Sequence, residues 1–212
     1  MVDPRPPGAA ARFLVLDGVD GCGKSTQAGR LARALAARTG RSVRHLREPG
    51  STALGEGLRE LLLSRDSKLS ARVETLLFAA ARAQMLEEIV EPALARGEHV
   101  VCERFHPSTF AYQAVAGGLP EDEVLDLLTT WAGKPAPDLV LWLDLPPEAA
   151  LARRCGAARD RIEDKGLEFQ RRVARGYARY AERARNVVRI DASGAPEAIE
   201  RAILAEVLRA IG

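Results

Sequence analysis

Residues 18–26 read Gly-Val-Asp-Gly-Cys-Gly-Lys-Ser-Thr. The spacing G-x-x-x-x-G-K-S is that of a phosphate-cradling loop, the P-loop. Its chemistry follows from its residue types. Gly18, Gly21 and Gly23 permit a tight turn in which successive backbone N–H groups face inward, toward phosphate oxygens. A helix beginning near Lys24 adds the positive end of its dipole. Lys24 is placed to reach β- and γ-phosphates, and the Ser25 hydroxyl to hold Mg²⁺. The candidate phosphate site is therefore Gly18, Val19, Asp20, Gly21, Cys22, Gly23, Lys24, Ser25 and Thr26. The apolar run Phe13–Leu16 precedes the loop, and Leu31 and Leu35 follow it at helical spacing. Strand, glycine turn and helix start, in that order, separate a working loop from a chance match.

Other chemistry-bearing residues lie further along. Arg47-Glu48-Pro49-Gly50 is a charged turn. Phe78 and Arg82 are four apart on one helical face. An aromatic plane beside a guanidinium suits a base and a phosphate; taken alone, the pair reads rather more readily as a core phenylalanine and a salt-bridged arginine. Glu103-Arg104-Phe105 leads into Ser108-Thr109-Phe110-Ala111-Tyr112-Gln113. Tyr112 and Gln113 suit a sugar or base edge, or ordinary helix packing. Arg153, Arg154, Arg159, Arg161, Arg171, Arg172 and Arg175 crowd one stretch, either as a solvated helix face or as a cluster with a functional use. GTPase signatures (D-x-x-G, N-K-x-D) are not evident where a GTPase carries them, and the chain is too short for most motors.

These residues need a frame. Short apolar runs at Phe13–Asp17, Ser42–Arg47, His99–Glu103, Asp138–Asp144 and Asn186–Asp191 read as strands buried on both faces. Helical patterns fill the gaps: Lys24–Arg38, Leu54–Ser64, Ala71–Arg96, Ser108–Ala116, Glu121–Ala132, Pro147–Arg154, Glu168–Arg185 and Pro196–Ala210. The alternation predicts an α/β fold, a doubly wound five-stranded parallel sheet flanked by helices. Ligands in such folds bind at the carboxyl ends of the strands. The P-loop, residues 47–50, Glu103-Arg104, Asp144 and Asp191 all fall there, so the candidate site is that rim. One domain is expected over residues 12–212, after a Pro- and Gly-rich flexible tail, Met1–Ala11.

Composition narrows the setting. The 212 residues carry a net charge of +2, which argues for neither nucleic acid nor membrane as a partner. Three cysteines without paired spacing suggest a reducing compartment. The N-terminal stretch lacks a signal peptide's apolar segment, and no run approaches the roughly 20 apolar residues of a membrane span. The expected location is the cytoplasm.

In order, the chain carries the P-loop, Arg-Glu-Pro-Gly (47–50), Phe-x-Ala-Ala-Arg-x-Gln (78–84), acid-Arg-x-x-x-Ser-x-x-Ala-Tyr-Gln (103–113) and Asp-Arg-Ile-Glu (160–163). This combination resembles the thymidylate kinase family over Phe13 to Ile211. The resemblance implies a nucleoside-monophosphate-kinase fold with a mobile lid, Mg-ATP as phosphoryl donor, dTMP as acceptor, and a homodimer. It implies that Phe78 stacks on thymine, that Arg82 and Arg104 contact the base or the acceptor phosphate, and that Tyr112 sits near the sugar. Asp20, Glu48, Pro49, Ser108, Thr109 and Gln113 belong to the same implied dTMP site. Some members carry Arg at the place of Gly21; members with Gly supply cations from the lid instead, here about 153–163. The implied catalytic cations are Lys24, Arg104, Arg153, Arg154 and Arg159, with Arg161 in the same segment. Glu103, Phe105, Ser51, Asp17 and Ala79 stand where the family more often has Asp, Tyr or His, Gly, Glu and Tyr. Two other readings stay open: a P-loop kinase for another small molecule, and a non-catalytic nucleotide-binding module.

Overall fold

The structure is a computed structural model that describes residues 11–154 and 161–211, the side chains of Glu163 and Ile211 excepted. The tail Met1–Ala10, Cys155, Arg159 and the central part of the expected lid lie outside the described residues.

Five strands form one parallel sheet in the order β2-β3-β1-β4-β5: β1 (Phe13–Asp17), β2 (Val43–Arg47), β3 (His99–Glu103), β4 (Leu139–Asp144) and β5 (Val187–Asp191). Each lies within one residue of its sequence expectation. The central strand β1 is buried at every position, because helices cover both of its faces. Its register sets Leu14 beside Val101 on one side and Leu139 on the other. Alternation along the strand divides the core. Leu14 and Leu16 face α1 (Lys24–Thr39), α8 (Gly166–Arg183) and α9 (Pro196–Ile211). Phe13 and Val15 face the opposite layer, with Met85, Leu86 and Val90. Each such buried side chain contributes about 1.5–3 kcal/mol over leaving it in water.

The helices that carry the site start where the sequence provides caps. Thr52 accepts from the Gly55 N–H ahead of α2 (Ala53–Leu63), and Ser70 accepts from the Val73 N–H ahead of α3 (Ala71–Met85). The expected single helix over 71–96 is instead three segments: α3, a π-helical turn at Leu86–Val90, and α4 (Glu91–Ala95). Pro92 supplies the reason, since it lacks the N–H that would continue the ladder. The helix expected from Ser108 starts earlier, as α5 (His106–Thr109), with Pro107 in its first turn. It then widens into a π-helical segment, Phe110–Val115, which carries Tyr112 and Gln113. The helix α8 packs directly on this segment. A Cβ on Gly176 would stand 2.6 Å from Ala111 Cα, so only glycine allows the approach. The remaining helices are α6 (Glu121–Trp131) and α7 (Pro147–Arg153). Asp144 and Asp191 do lie at strand ends, but Asp144 pairs with Arg189 at 2.7 Å and Asp191 caps the Ser193 N–H at 2.9 Å.

Candidate active site

The P-loop spans β1 to α1 at the sheet's carboxyl edge. Lys24 is buried, and its ammonium donates to the Gly18 and Val19 carbonyls, each at 2.9 Å. The cation thus sits inside the loop's curve. Gly21 adopts φ +90, and a Cβ there would stand 2.4 Å from the Ala150 carbonyl oxygen. The loop and α7 are therefore in direct contact, and the Arg154 stem lies against Gly21. Ser25 donates from its hydroxyl to Glu103 Oε2, and Glu103 Oε1 meets His45 Nε2 at 2.8 Å. This places two hard oxygen donors at the phosphate loop, a set that fits Mg²⁺. Among the described residues there is no cluster of three or more His, Cys, Asp or Glu that would hold a metal without help from a ligand.

A groove of about 550 Å³ follows the loop, lined by Gly21, Gly23, Lys24, Ser25 and Thr26 and reaching Arg47. Beside it lies a cavity of about 140 Å³, whose wall includes Phe78, Arg82, Ser108, Thr109, Tyr112 and Gln113. Asp20, Glu48, Arg59 and Arg104 line both spaces. The two openings share one wall, and that wall carries two guanidiniums and two carboxylates.

The carboxylates of that wall are shifted in opposite directions. Burial pushes the Asp20 carboxyl up, but Arg104, Lys24 and a hydrogen bond from the Tyr112 hydroxyl outweigh it and bring it down to about 2. Asp20 is therefore anionic, with Tyr112 donating to it at 2.8 Å and Arg104 in direct contact. Burial of Glu48 wins over the neighbouring Arg82 and lifts its carboxyl to about 7. Arg82 is 1% exposed; its Nε donates to Glu48 at 2.8 Å and its Nη2 to Thr109 at 3.1 Å. Arg82 Nη1 and Glu48 Oε1 are both buried without a hydrogen-bond partner among the described residues. Such atoms normally find partners, and at a cavity wall a bound ligand or water can supply them. Phe78 is half-buried, packed on the core's edge while lining the cavity. Arg104 adopts φ 71, a left-handed conformation that costs a non-glycine residue of order 1–3 kcal/mol and clusters at functional sites.

Of the expected site residues, Asp20, Gly21, Gly23, Lys24, Ser25, Thr26, Glu48, Pro49, Phe78, Arg82, Arg104, Ser108, Thr109, Tyr112 and Gln113 line one or both of these spaces, whereas Gly18, Val19 and Cys22 line neither. The lid arginines separate. Arg154 reaches the loop. Arg153 donates to the Ala192 and Ser193 carbonyls at 2.9 and 3.1 Å and lines neither space. Arg161 turns to Glu74 at 2.7 Å. Sequence reasoning missed Arg59, whose guanidinium donates to the Pro49 carbonyl at 3.0 Å. No spacing signal distinguishes it from other helix-face arginines. It also missed the buried hub Asp17, which accepts from the Gly18, Phe105 and Ser108 N–H groups and from the Tyr177 hydroxyl. A buried acid ending a central strand is the signal that could have found it.

A doubly wound parallel sheet with a P-loop at its switch point, joined through a cationic wall to a second cavity, defines a P-loop kinase class that acts on a small acceptor. Sequence comparison sharpens this. The family profile described as thymidylate kinase matches residues 16–203. The chain is 47% identical over 192 residues to a thymidylate kinase of Verminephrobacter eiseniae (strain EF01-2), covering 85% of this chain and 84% of that protein. It is 47% identical over 186 residues to one from Synechococcus sp. (strain JA-3-3Ab), covering 87% and 89%. It is 42% identical over 209 residues to one from Parasynechococcus marenigrum (strain WH8102), covering 96% and 100%. The chain belongs to the thymidylate kinase family.

Proposed function

We propose that the protein transfers the γ-phosphoryl group of ATP to dTMP, giving dTDP and ADP. A dTMP phosphate oxygen attacks the γ-phosphorus, and the bond from that phosphorus to the β–γ bridging oxygen breaks. The shared wall of Asp20, Glu48, Arg59 and Arg104 is the observation that carries this reading, because it sets an acceptor cavity against a phosphate loop. ATP phosphates lie along residues 18–26. The base of dTMP occupies the cavity, with Phe78 on its face and Arg82 at its edge. Tyr112, held on Asp20, closes the sugar side.

The attacking oxygen is already anionic near neutral pH, so no general base is needed. The obstacle is repulsion between two anions and charge spread over the transferred group, so catalysis falls to cations in fixed places. Lys24, Arg104 and Arg154 are placed for this; Arg153 and Arg159 join them on the lid reading. Ser25, steadied by Glu103, would hold Mg²⁺ beside the phosphates, where the ion neutralises charge. Leu54 and Leu61 on α2 and Val73 and Leu76 on α3 are exposed apolar residues. They support a homodimer joined through these helices. Among the described residues no helix is long and apolar enough to cross a membrane, and the cytoplasm is the proposed location.

The test is ADP release from Mg-ATP with dTMP, dUMP, thymidine ribonucleotide, GMP, AMP and shikimate offered in turn. Strong preference for dTMP supports the reading. Preference for another acceptor leaves the loop chemistry and removes the base assignment.

A further inference from the structure

Glu74 lies in the first turns of α3 and is 1% exposed, yet it is charged and lines neither space. Its two oxygens are divided. Oε1 accepts from Arg161 at 2.7 Å and lies 3.7 Å from the Lys165 ammonium. Oε2 accepts from the Gln113 side-chain nitrogen at 2.9 Å. Arg161 is itself fixed, since its guanidinium also donates to the Leu62 carbonyl at 2.9 and 3.3 Å. Ile162, the next residue, lines the cavity.

The chemistry of this chain has a direction. The Arg161 guanidinium donates to Glu74, the Lys165 ammonium stands beside it, and neither cation can accept a hydrogen bond, so Glu74 meets its neighbours as an acceptor. The end of the Gln113 amide that meets Glu74 must then be NH₂, and the other end, the carbonyl oxygen, is what Gln113 has left for the cavity it lines. Nothing in glutamine alone selects that orientation, because its two ends are nearly the same shape. We infer that Glu74 is a positioning residue that sets Gln113 as a hydrogen-bond acceptor toward the base, with Arg161 and Lys165 bracing it from the segment that follows residues 155–160. An acceptor at this point suits a pyrimidine whose ring N3 carries hydrogen, as thymine and uracil do. It opposes a cytosine ring, whose N3 is an acceptor. The inference rests on the reading of the cavity as a nucleobase site.

The experiment compares dTMP with 5-methyl-dCMP, which keeps the methyl group and reverses the donor pattern. KM and kcat are measured on the full chain for the unaltered protein, Glu74→Gln, Arg161→Met, Gln113→Leu and the Glu74→Gln/Gln113→Leu pair, with folding checked by thermal melting. Glu74→Gln permits either amide orientation. It is expected to lower the dTMP to 5-methyl-dCMP ratio of kcat/KM about tenfold or more, through the nucleotide KM and with the ATP KM unchanged. Arg161→Met should lower it less. In the Gln113→Leu background, Glu74→Gln should change the ratio by less than about twofold. A folded Glu74→Gln that leaves the ratio within about twofold overturns the inference, as does an equal effect in the Gln113→Leu background. If neither Glu74→Gln nor Arg161→Met folds, direct binding to the unaltered protein decides. Affinity for dTMP about tenfold or more above that for 5-methyl-dCMP supports the acceptor setting, and a smaller gap overturns it. Failure of the unaltered protein to phosphorylate dTMP would instead remove the proposed function itself.

Discussion

The cavity around Arg82 and the groove along the P-loop share four wall residues but are built from different parts. Around the cavity, the polar groups are buried side chains held by other side chains: Arg82 on Glu48 and Thr109, Gln113 on Glu74. Along the groove, the framework is backbone. Lys24 is held by the carbonyls of its own loop, and contact with α7 holds Gly21. The difference matches what each space must recognise. A phosphate is the same on every nucleotide, so inward N–H groups and a positive charge suffice. A base is distinguished by its pattern of donors and acceptors, and side chains of fixed orientation are needed to read it. Specificity is therefore expected to reside in the cavity and turnover in the groove.

Lys24→Ala strikes the groove and should have the largest effect. Turnover is expected to fall by about 10²–10³-fold, as when one fixed charge-stabilising donor is removed elsewhere. The melting temperature should move by only a few degrees, about 1 kcal/mol. Near-normal steady-state turnover would end the assignment of the groove. Arg82→Met attacks the cavity through its buried ion pair. Leaving Glu48 buried without its partner should cost about 3–5 kcal/mol, measured by denaturant unfolding, and substituting Glu48 by Leu as well should recover much of that loss. A loss below about 1 kcal/mol would show that the pair is not what holds the cavity wall.

Phe78→Ala separates the two spaces by kinetics. The KM for dTMP should rise about tenfold or more, the worth of one stacked base, with the ATP KM almost unchanged. Equal changes in both constants would make Phe78 a core residue only. A further test concerns pH. The Glu48 carboxyl is raised from its ordinary 4.5 to about 7 by burial, so the folded state holds its proton more tightly than the unfolded chain does. Its contribution is complete below about 4.5 and is lost as pH rises through about 7. Asp20, lowered to about 2, acts in the opposite sense and only under strong acid. Between pH 5 and 8, the melting temperature of the unaltered protein should therefore fall relative to that of Glu48→Gln. Parallel curves would place Glu48 at an ordinary carboxylate pKa.

Much of the frame was legible in the chain. Five short apolar runs gave strands correct to within one residue, because period and length are local properties that burial on both faces preserves. The P-loop was legible for the same reason, as one continuous backbone conformation written in nine consecutive residues. The break in the helix over 71–96 was less so. Proline marks that something must yield there, but not that the ladder widens into a π turn.

Apolar runs and motif order thus determined the sheet, the loop and the family. Tertiary structure decided which charge meets which. The arginines of the segment 153–161 look alike in sequence, yet Arg153 turns to the β5 end, Arg154 to the P-loop and Arg161 to Glu74. Arg59 entered the shared wall unannounced, while Asp144 and Asp191 stood at strand ends and found partners outside it. The physical reason is desolvation. A buried charge must find a counter-charge or a hydrogen-bond partner, and the partner is set by the packed fold. For Arg82 it lies 34 residues away, and for Arg161 87 residues away, beyond the reach of any local pattern.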